Sequence, residues 1–179
     1  MYSFLKNRGF TMVELLVVLA VIGILSSVVI VSVSNARANA RDKVRVADLA
    51  QAQLAMKLYS VQNGTFLVSG TGHSGNGQGW FSYAGGPYPK STVVQLVEDG
   101  LLGKVISDPL VPVGTSGSGT QRQYMHYFAN GGASSGSCLF AHLESPSPKR
   151  EATMNDSRIP SGVKTSVMTN YFMNYAVCQ

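Results

Sequence analysis

Residues 10–33 read FTMVELLVVLAVIGILSSVVIVSV, an apolar run with a single ionisable side chain, Glu14, near its start. At about 1.5 Å of rise per helical residue the run spans roughly 36 Å, enough to cross a hydrocarbon core of about 30 Å. The pattern predicts a membrane helix. A carboxylate inside such a helix is costly in lipid, so Glu14 is expected to have a partner or a function.

From Ser34 the composition changes, yet no Pro or Gly intervenes between Gly23 and Gly64. Ala40, Val44, Ala47, Leu54, Leu58 and Val61 recur at helical spacing, leaving Arg41, Arg45, Asp48 and Lys57 to other faces. One helix is therefore predicted over residues 10–62, about 80 Å long, with its first half in the membrane and its amphipathic half laid on a head. Asn63-Gly64-Thr65 supplies the stop, Gly64 being suited to a left-handed cap.

The head, residues 63–179, begins with a glycine-rich stretch at 67–89 in which Trp80, Phe81, Tyr83 and Tyr88 are interleaved. This composition predicts a surface loop without a regular element of its own, with Trp80 packed on the head or exposed to a partner. Residues 90–103 (KSTVVQLVEDGLLG) read as a short helix capped by Ser91 or Thr92, apolar at Val94, Leu96, Val97, Leu101 and Leu102, and stopped by Gly103. Ser107-Asp108-Pro109 marks a turn. Strands are predicted at 123–129, 137–144 and 170–178, each aromatic-rich or alternating, and the hydrophilic connection 145–166 reads as a surface loop. Three antiparallel strands packed on a helix are about the least that is stable, so the predicted class is α+β, a long helix on a small sheet of three or four strands.

Charge sharpens this picture. The formal net charge of +5 divides into +2 in the leader 1–9 (Lys6, Arg8), −1 in the apolar run, +3 over 34–60 and only +1 over 61–179. A nearly neutral head argues against a dedicated nucleic-acid surface, which gathers Lys and Arg on one face, and the basic cluster at 37–45 suits lipid headgroups or neighbouring subunits. The two cysteines, Cys138 and Cys178, lie beyond the membrane run in Tyr- and Ser-rich surroundings. That setting favours a disulfide over a metal or redox pair, with two buried free thiols as the other reading. A bridge would enclose residues 138–178 and contribute roughly 3–4 kcal/mol in the chain-entropy view.

Little in the chain suggests catalysis. Gly132-Ala133-Ser134-Ser135-Gly136 fits the G-x-S-x-G spelling, but that motif needs a helix after the serine and a strand is predicted there. His73, His126 and His142 are far apart and no H-E-x-x-H or clustered Cys accompanies them, so no metal site or other cofactor is expected. Asn63 and Asn155 open N-x-S/T triplets, of which the first is better explained as a helix end.

The leader MYSFLKNRG places its small residue before the apolar run, whereas a secretory signal is cut after it. Basic leader, Gly9, Phe10, then Glu14 within an apolar helix is the order of class III signal sequences. Over G-F-T-M-V-E-L-L-V-V-L-A-V-I-G-I-L, residues 9–25, the chain resembles the type IV pilin superfamily. KLYSVQNGTF, residues 57–66, similarly resembles the end of the long helix in bacterial pilins and type II secretion pseudopilins.

The resemblance implies the pilin fold, cleavage between Gly9 and Phe10 by a prepilin peptidase, and N-methylation of Phe10. It implies that Glu14 neutralises the new terminal amine of an adjacent subunit during filament assembly, a charge pairing strengthened in a low-dielectric medium. The implied partners are further copies of the chain, the peptidase, the assembly platform with its ATPase machinery, and membrane lipid before assembly. The implied location is the inner membrane for the precursor and the cell surface for the filament.

One departure is that pilins commonly carry a Pro near the end of the apolar run, where this chain has Val31 and no Pro before Pro87. Major pseudopilins bind calcium through a compact acidic loop and generally lack a cysteine pair. Here Asp108 and Asp156 stand apart and the cysteines are present, which tilts the reading to a pilin over a pseudopilin. A minor, adhesive tip subunit with the same N-terminus is the further alternative.

Overall fold

The computed structural model describes residues 9–115, 122–145 and 148–179. The leader, with Lys6 and Arg8, lies outside the described residues apart from Gly9. The described chain divides into two units, one ending at Ala38 and one beginning at Asn39, and each is described by itself.

The first unit is the N-terminal part of helix α1 (Met12–Asn63), which is long and apolar enough to cross a membrane. Neither Gly23 nor the Ser26-Ser27 pair interrupts it, and the backbone stays helical through position 31 where pilins commonly have Pro. Ser27 holds the helix by donating its hydroxyl to the Ile24 carbonyl at 2.7 Å, a local bond that satisfies the side chain without water. Every described side chain between 10 and 33 is exposed, so nothing among the described residues covers the apolar run.

In the second unit α1 runs on to Asn63 and ends where Gly64 takes φ 71° and returns its N–H to the Ser60 carbonyl at 2.8 Å, the left-handed exit that glycine adopts at no steric cost. Four antiparallel strands follow, β1 (Gly79–Trp80), β2 (Met125–Phe128), β3 (Ser137–Ala141) and β4 (Tyr175–Cys178), in that spatial order. The register pairs Met125 with Phe140 and Phe140 with Ala176, so side chains alternate between two faces of one sheet. The class is α+β, a helix packed on a small open sheet, and is consistent with the pilin fold.

Both faces are covered. On one, Leu49, Ala52, Ala55 and Met56 of α1 pack with Val93 and Leu96 of α2 (Thr92–Glu98) against Tyr124, Leu139 and Ala141. On the other, Trp80, Met125, Cys138 and Phe140 meet Met154, Ile159, Val167 and Met173. The central strand β3 is thus buried along its whole length, each large apolar side chain contributing about 1.5–3 kcal/mol. Cys138 and Cys178 lie directly opposite each other in the register and form a disulfide that joins β3 to β4.

Four expectations are corrected. The connection 145–166 is not simply a surface loop: it holds α3 (Pro148–Glu151), a 3-10 turn (Ala152–Asn155) and the start of α4 (Ser161–Thr169), and it buries Met154 and Ile159 beneath the sheet. Its apolar residues are too widely spaced to show one helical period. The glycine-rich stretch does supply an element, the short edge strand β1. Helix α2 stops at Gly100 (φ 71°), three residues before Gly103, and its Ser91 hydroxyl donates to the Phe81 carbonyl instead of capping.

The fourth correction concerns α1 itself. Within the second unit the face turned to the sheet carries Asp42, Arg45, Asp48, Leu49, Ala52, Ala55 and Met56. The predicted apolar side points away, with Val61 73% and Leu54 62% exposed and Val44 and Leu58 also open. Small Ala52 and Ala55 let the sheet approach closely, and the charged residues on that face find partners, which offsets the cost of burying them.

Candidate assembly site on the N-terminal helix

Helix α1 starts with a reciprocal cap. The Thr11 N–H and hydroxyl donate to Glu14 Oε2 at 2.8 and 2.9 Å, and the Glu14 N–H donates back to the Thr11 hydroxyl at 3.3 Å. This is a capping box, in which two otherwise unpaired backbone donors of the first turn are satisfied at once. The T-x-x-E spelling at 11–14 was present in the sequence and gives Glu14 a local role in addition to the one the resemblance implies. Only Oε2 is engaged; Oε1 makes no hydrogen bond among the described residues and stands open to a cation from outside the chain. Phe10 is exposed, and a methyl group built on Gly9 would touch nothing among the described residues.

Further along, a buried ionic cluster fixes the second part of α1 to the head. Arg45, 2% exposed at its side chain, donates to both carboxylate oxygens of Asp108 (2.7 and 3.1 Å), to Asp42 Oδ1 (2.9 Å) and to Glu144 Oε1 (2.7 Å). Arg41 grips Glu144 with a second fork, and the Asp42 carboxylate accepts the backbone N–H groups of Glu144 and Ser145 at 2.9 and 2.7 Å.

Burial works against the Arg45 charge, but the hydrogen bonds it donates to Asp108 and Glu144 outweigh it and hold the guanidinium above its ordinary value. The fork from Arg41, then the bond from Arg45, pull the Glu144 carboxyl down to about 2. Next along the helix, Tyr124 donates its hydroxyl to Asp48 at 2.9 Å, and burial raises both groups. Acids and bases set three apart at 42, 45 and 48 were the readable sign that this polar face has internal partners.

The other candidate residues do not come together. Ser134 is exposed in the β2–β3 connection, where Ser135 N–H bonds the Gly132 carbonyl and a strand follows. His73 is exposed, His126 is buried with Nδ1 bonded to the Gly77 carbonyl, and His142 bonds the Phe172 carbonyl and meets Arg122. Burial lowers His126 to about 4. Asp108 is committed to Arg45 and Asp156 to Arg158, and among the described residues no three His, Cys, Asp or Glu side chains are grouped to hold a metal. Asn63 donates its amide to the Tyr59 carbonyl as part of the helix end, Asn155 accepts from Lys164, and Trp80 packs edge-on to Tyr171.

Comparison with known proteins bears on the same end of the molecule. The Prokaryotic N-terminal methylation motif matches residues 5–30. The type IV wide pilus major component PilA4 of Thermus thermophilus is 39% identical over 59 residues, which is 33% of this chain and 45% of that relative's length. The chain thus spans under half the length of that relative in the match. No solved structure matches the chain. Residues 5–30, with Gly9 and Phe10 ahead of an exposed apolar helix and Glu14 in its first turn, are a type IV pilin-like class III signal.

Proposed function

We propose that this chain is a structural subunit of a type IV pilus, stored as a precursor in the inner membrane, cut between Gly9 and Phe10 by prepilin peptidase, methylated on Phe10 and polymerised into a surface filament. The observation that carries this reading is the methylation motif on an apolar run, residues 10–33, whose described side chains are uncovered and whose single ionisable group, Glu14, keeps one carboxylate oxygen open. In the membrane, lipid covers the apolar run. In a filament, the same run from neighbouring copies covers it, and the amine created at Phe10 is the cation that Oε1 lacks.

The outward side of α1 in the second unit offers an apolar surface of its own. Val44, Leu54, Leu58 and Val61 form an exposed apolar stripe at coiled-coil spacing, suited to packing against the equivalent helices of other copies. The partial match to a relative named as a type IV pilus major component is in keeping with this reading.

The test is Glu14→Ala in cells that display the filament. Leader removal is expected to proceed normally, while the yield of sheared filaments falls at least ten-fold. Wild-type piliation in the variant would overturn the Glu14 assignment. A secretion defect without surface filaments on deletion of the gene would favour the pseudopilin, and low abundance relative to another filament subunit the tip adhesin.

A further inference from the structure

A pocket of about 260 Å³ opens in the head between the glycine-rich stretch, β2 and the turn after α4, lined by His73, Asn76, Gln78, Tyr88, Tyr127 and Tyr171. None of these residues belongs to the ionic cluster or to the helix surface assigned to assembly.

Its walls are held in place. His73 and Tyr88 meet edge-on at 5.5 Å, Tyr83 and Tyr88 at 5.3 Å, Trp80 and Tyr171 at 4.9 Å, and Tyr127 and Phe140 at 6.2 Å, so each pocket ring is oriented by a neighbour. Glycine makes the cradle possible. A Cβ on Gly79, at φ 94°, would come within 2.7 Å of the Tyr88 ring, and one on Gly72, at φ 64°, within 2.5 Å of the Gln78 carbonyl oxygen. The composition that reads as a featureless loop is what lets the rings lie against backbone.

Several polar groups lining this space keep hydrogen-bonding capacity to spare. Asn76 Oδ1 accepts the Gln78 N–H at 3.1 Å and Gln78 Oε1 accepts the Phe128 N–H at 3.5 Å, leaving both amide NH₂ groups without a hydrogen bond among the described residues. The same holds for the His73 ring and the hydroxyls of Tyr127 and Tyr171. Burial, and then the neighbouring hydroxyls of Tyr171 and Tyr88, push Tyr127 up to about 12, so it remains a neutral donor and acceptor. No Asp, Glu, Lys or Arg lines the pocket.

These properties narrow the ligand. An apolar molecule would strand the hydroxyls and amides, and an ion would be desolvated without a counter-charge. A ligand with hydroxyl groups around its rim and a C–H face for the rings satisfies both kinds of wall. The volume lies just below the range of drug-sized sites and suits a single ring. We infer that this pocket binds a neutral hexose or N-acetylhexosamine unit of a glycan, with the tyrosine rings against the sugar face and Asn76, Gln78 and the tyrosine hydroxyls on its hydroxyl groups.

The test uses the full chain in a detergent without a sugar headgroup, titrated with glucose, galactose and N-acetylglucosamine and, separately, with glucuronate and glucosamine, read by saturation-transfer NMR. At least one neutral sugar is expected to saturate with a Kd at or below about 10 mM, and each charged sugar to bind at least several-fold more weakly. Tyr127→Phe and Gln78→Ala are each expected to weaken the neutral sugar about ten-fold while leaving the melting temperature unchanged. Absence of saturable binding by every neutral sugar, equal or better binding of a charged one, or binding that survives both substitutions would overturn the inference. So would a photo-crosslink from Tyr127 to another copy in filaments, accompanied by no sugar binding. Because the unassembled chain is titrated, the result is independent of whether the chain polymerises.

Discussion

From Asn39 to Asn63, helix α1 presents two stripes of opposite character. The one packed on the sheet carries Asp42, Arg45 and Asp48 beside small alanines, whereas the one facing away carries Val44, Leu54, Leu58 and Val61. A helix in a monomer that worked alone would place these stripes the other way round. The difference teaches that a helix can be amphipathic toward a partner outside its own fold. Its charged side is tied down within the head, and its apolar side is left uncovered among the described residues, where the proposed filament would place other copies.

Replacing Arg45 should break this contrast most severely. Arg45→Ala leaves Asp108 buried without its cation, Asp42 with only Arg150 at 3.7 Å and Glu144 with only Arg41, and is expected to cost about 3–5 kcal/mol of head stability in chemical denaturation. A loss below 1 kcal/mol would show that the cluster is not what holds the helix to the sheet.

A milder probe is acid. The Glu144 carboxyl sits at about 2 against an ordinary value of 4.5, so its contribution is fully present above about pH 4.5 and is lost as the pH falls toward 2. His126, at about 4 against 6.5, adds a loss of stability as the pH falls from 6.5 to about 4, because only the unfolded chain takes up that proton in this window. Stability measured from pH 7 downward should therefore decline in two windows, and Glu144→Gln should flatten the lower one while His126→Gln flattens the upper.

The smallest effect on stability belongs to the outward stripe. Leu54→Asp and Leu58→Asp touch nothing in the core and are expected to change head stability by no more than about 0.5 kcal/mol, yet to reduce filament yield sharply with the leader still removed. Unchanged yield would remove the stripe from the assembly surface.

Much of this was legible in the residues. The apolar run, the long helix with its stop at Gly64, the places of three of the four strands and the α+β class follow from periodicity and punctuation, since a run of uninterrupted apolar residues and a glycine exit have few other solutions. Which stripe of α1 faces the sheet was not legible. Choosing it by hydrophobicity fails when the charged residues have partners far away in sequence, as Arg45 has in Asp108 and Glu144. The same distance hid the layer formed by Met154, Ile159 and Val167, whose burial depends on β3 being covered on both faces. The cap at Thr11 was legible, because the T-x-x-E spacing with Glu14 is a capping-box spelling independent of any resemblance.

The central claim is that the helix beginning at Met12 is a temporary membrane anchor turned filament core. Intact mass and N-terminal sequencing of protein sheared from the cell surface test it most directly. The account predicts a chain starting at Phe10, heavier by one methyl group, with Cys138 and Cys178 still joined, whereas a chain retained in the membrane with residues 1–9 attached and no surface material would contradict it.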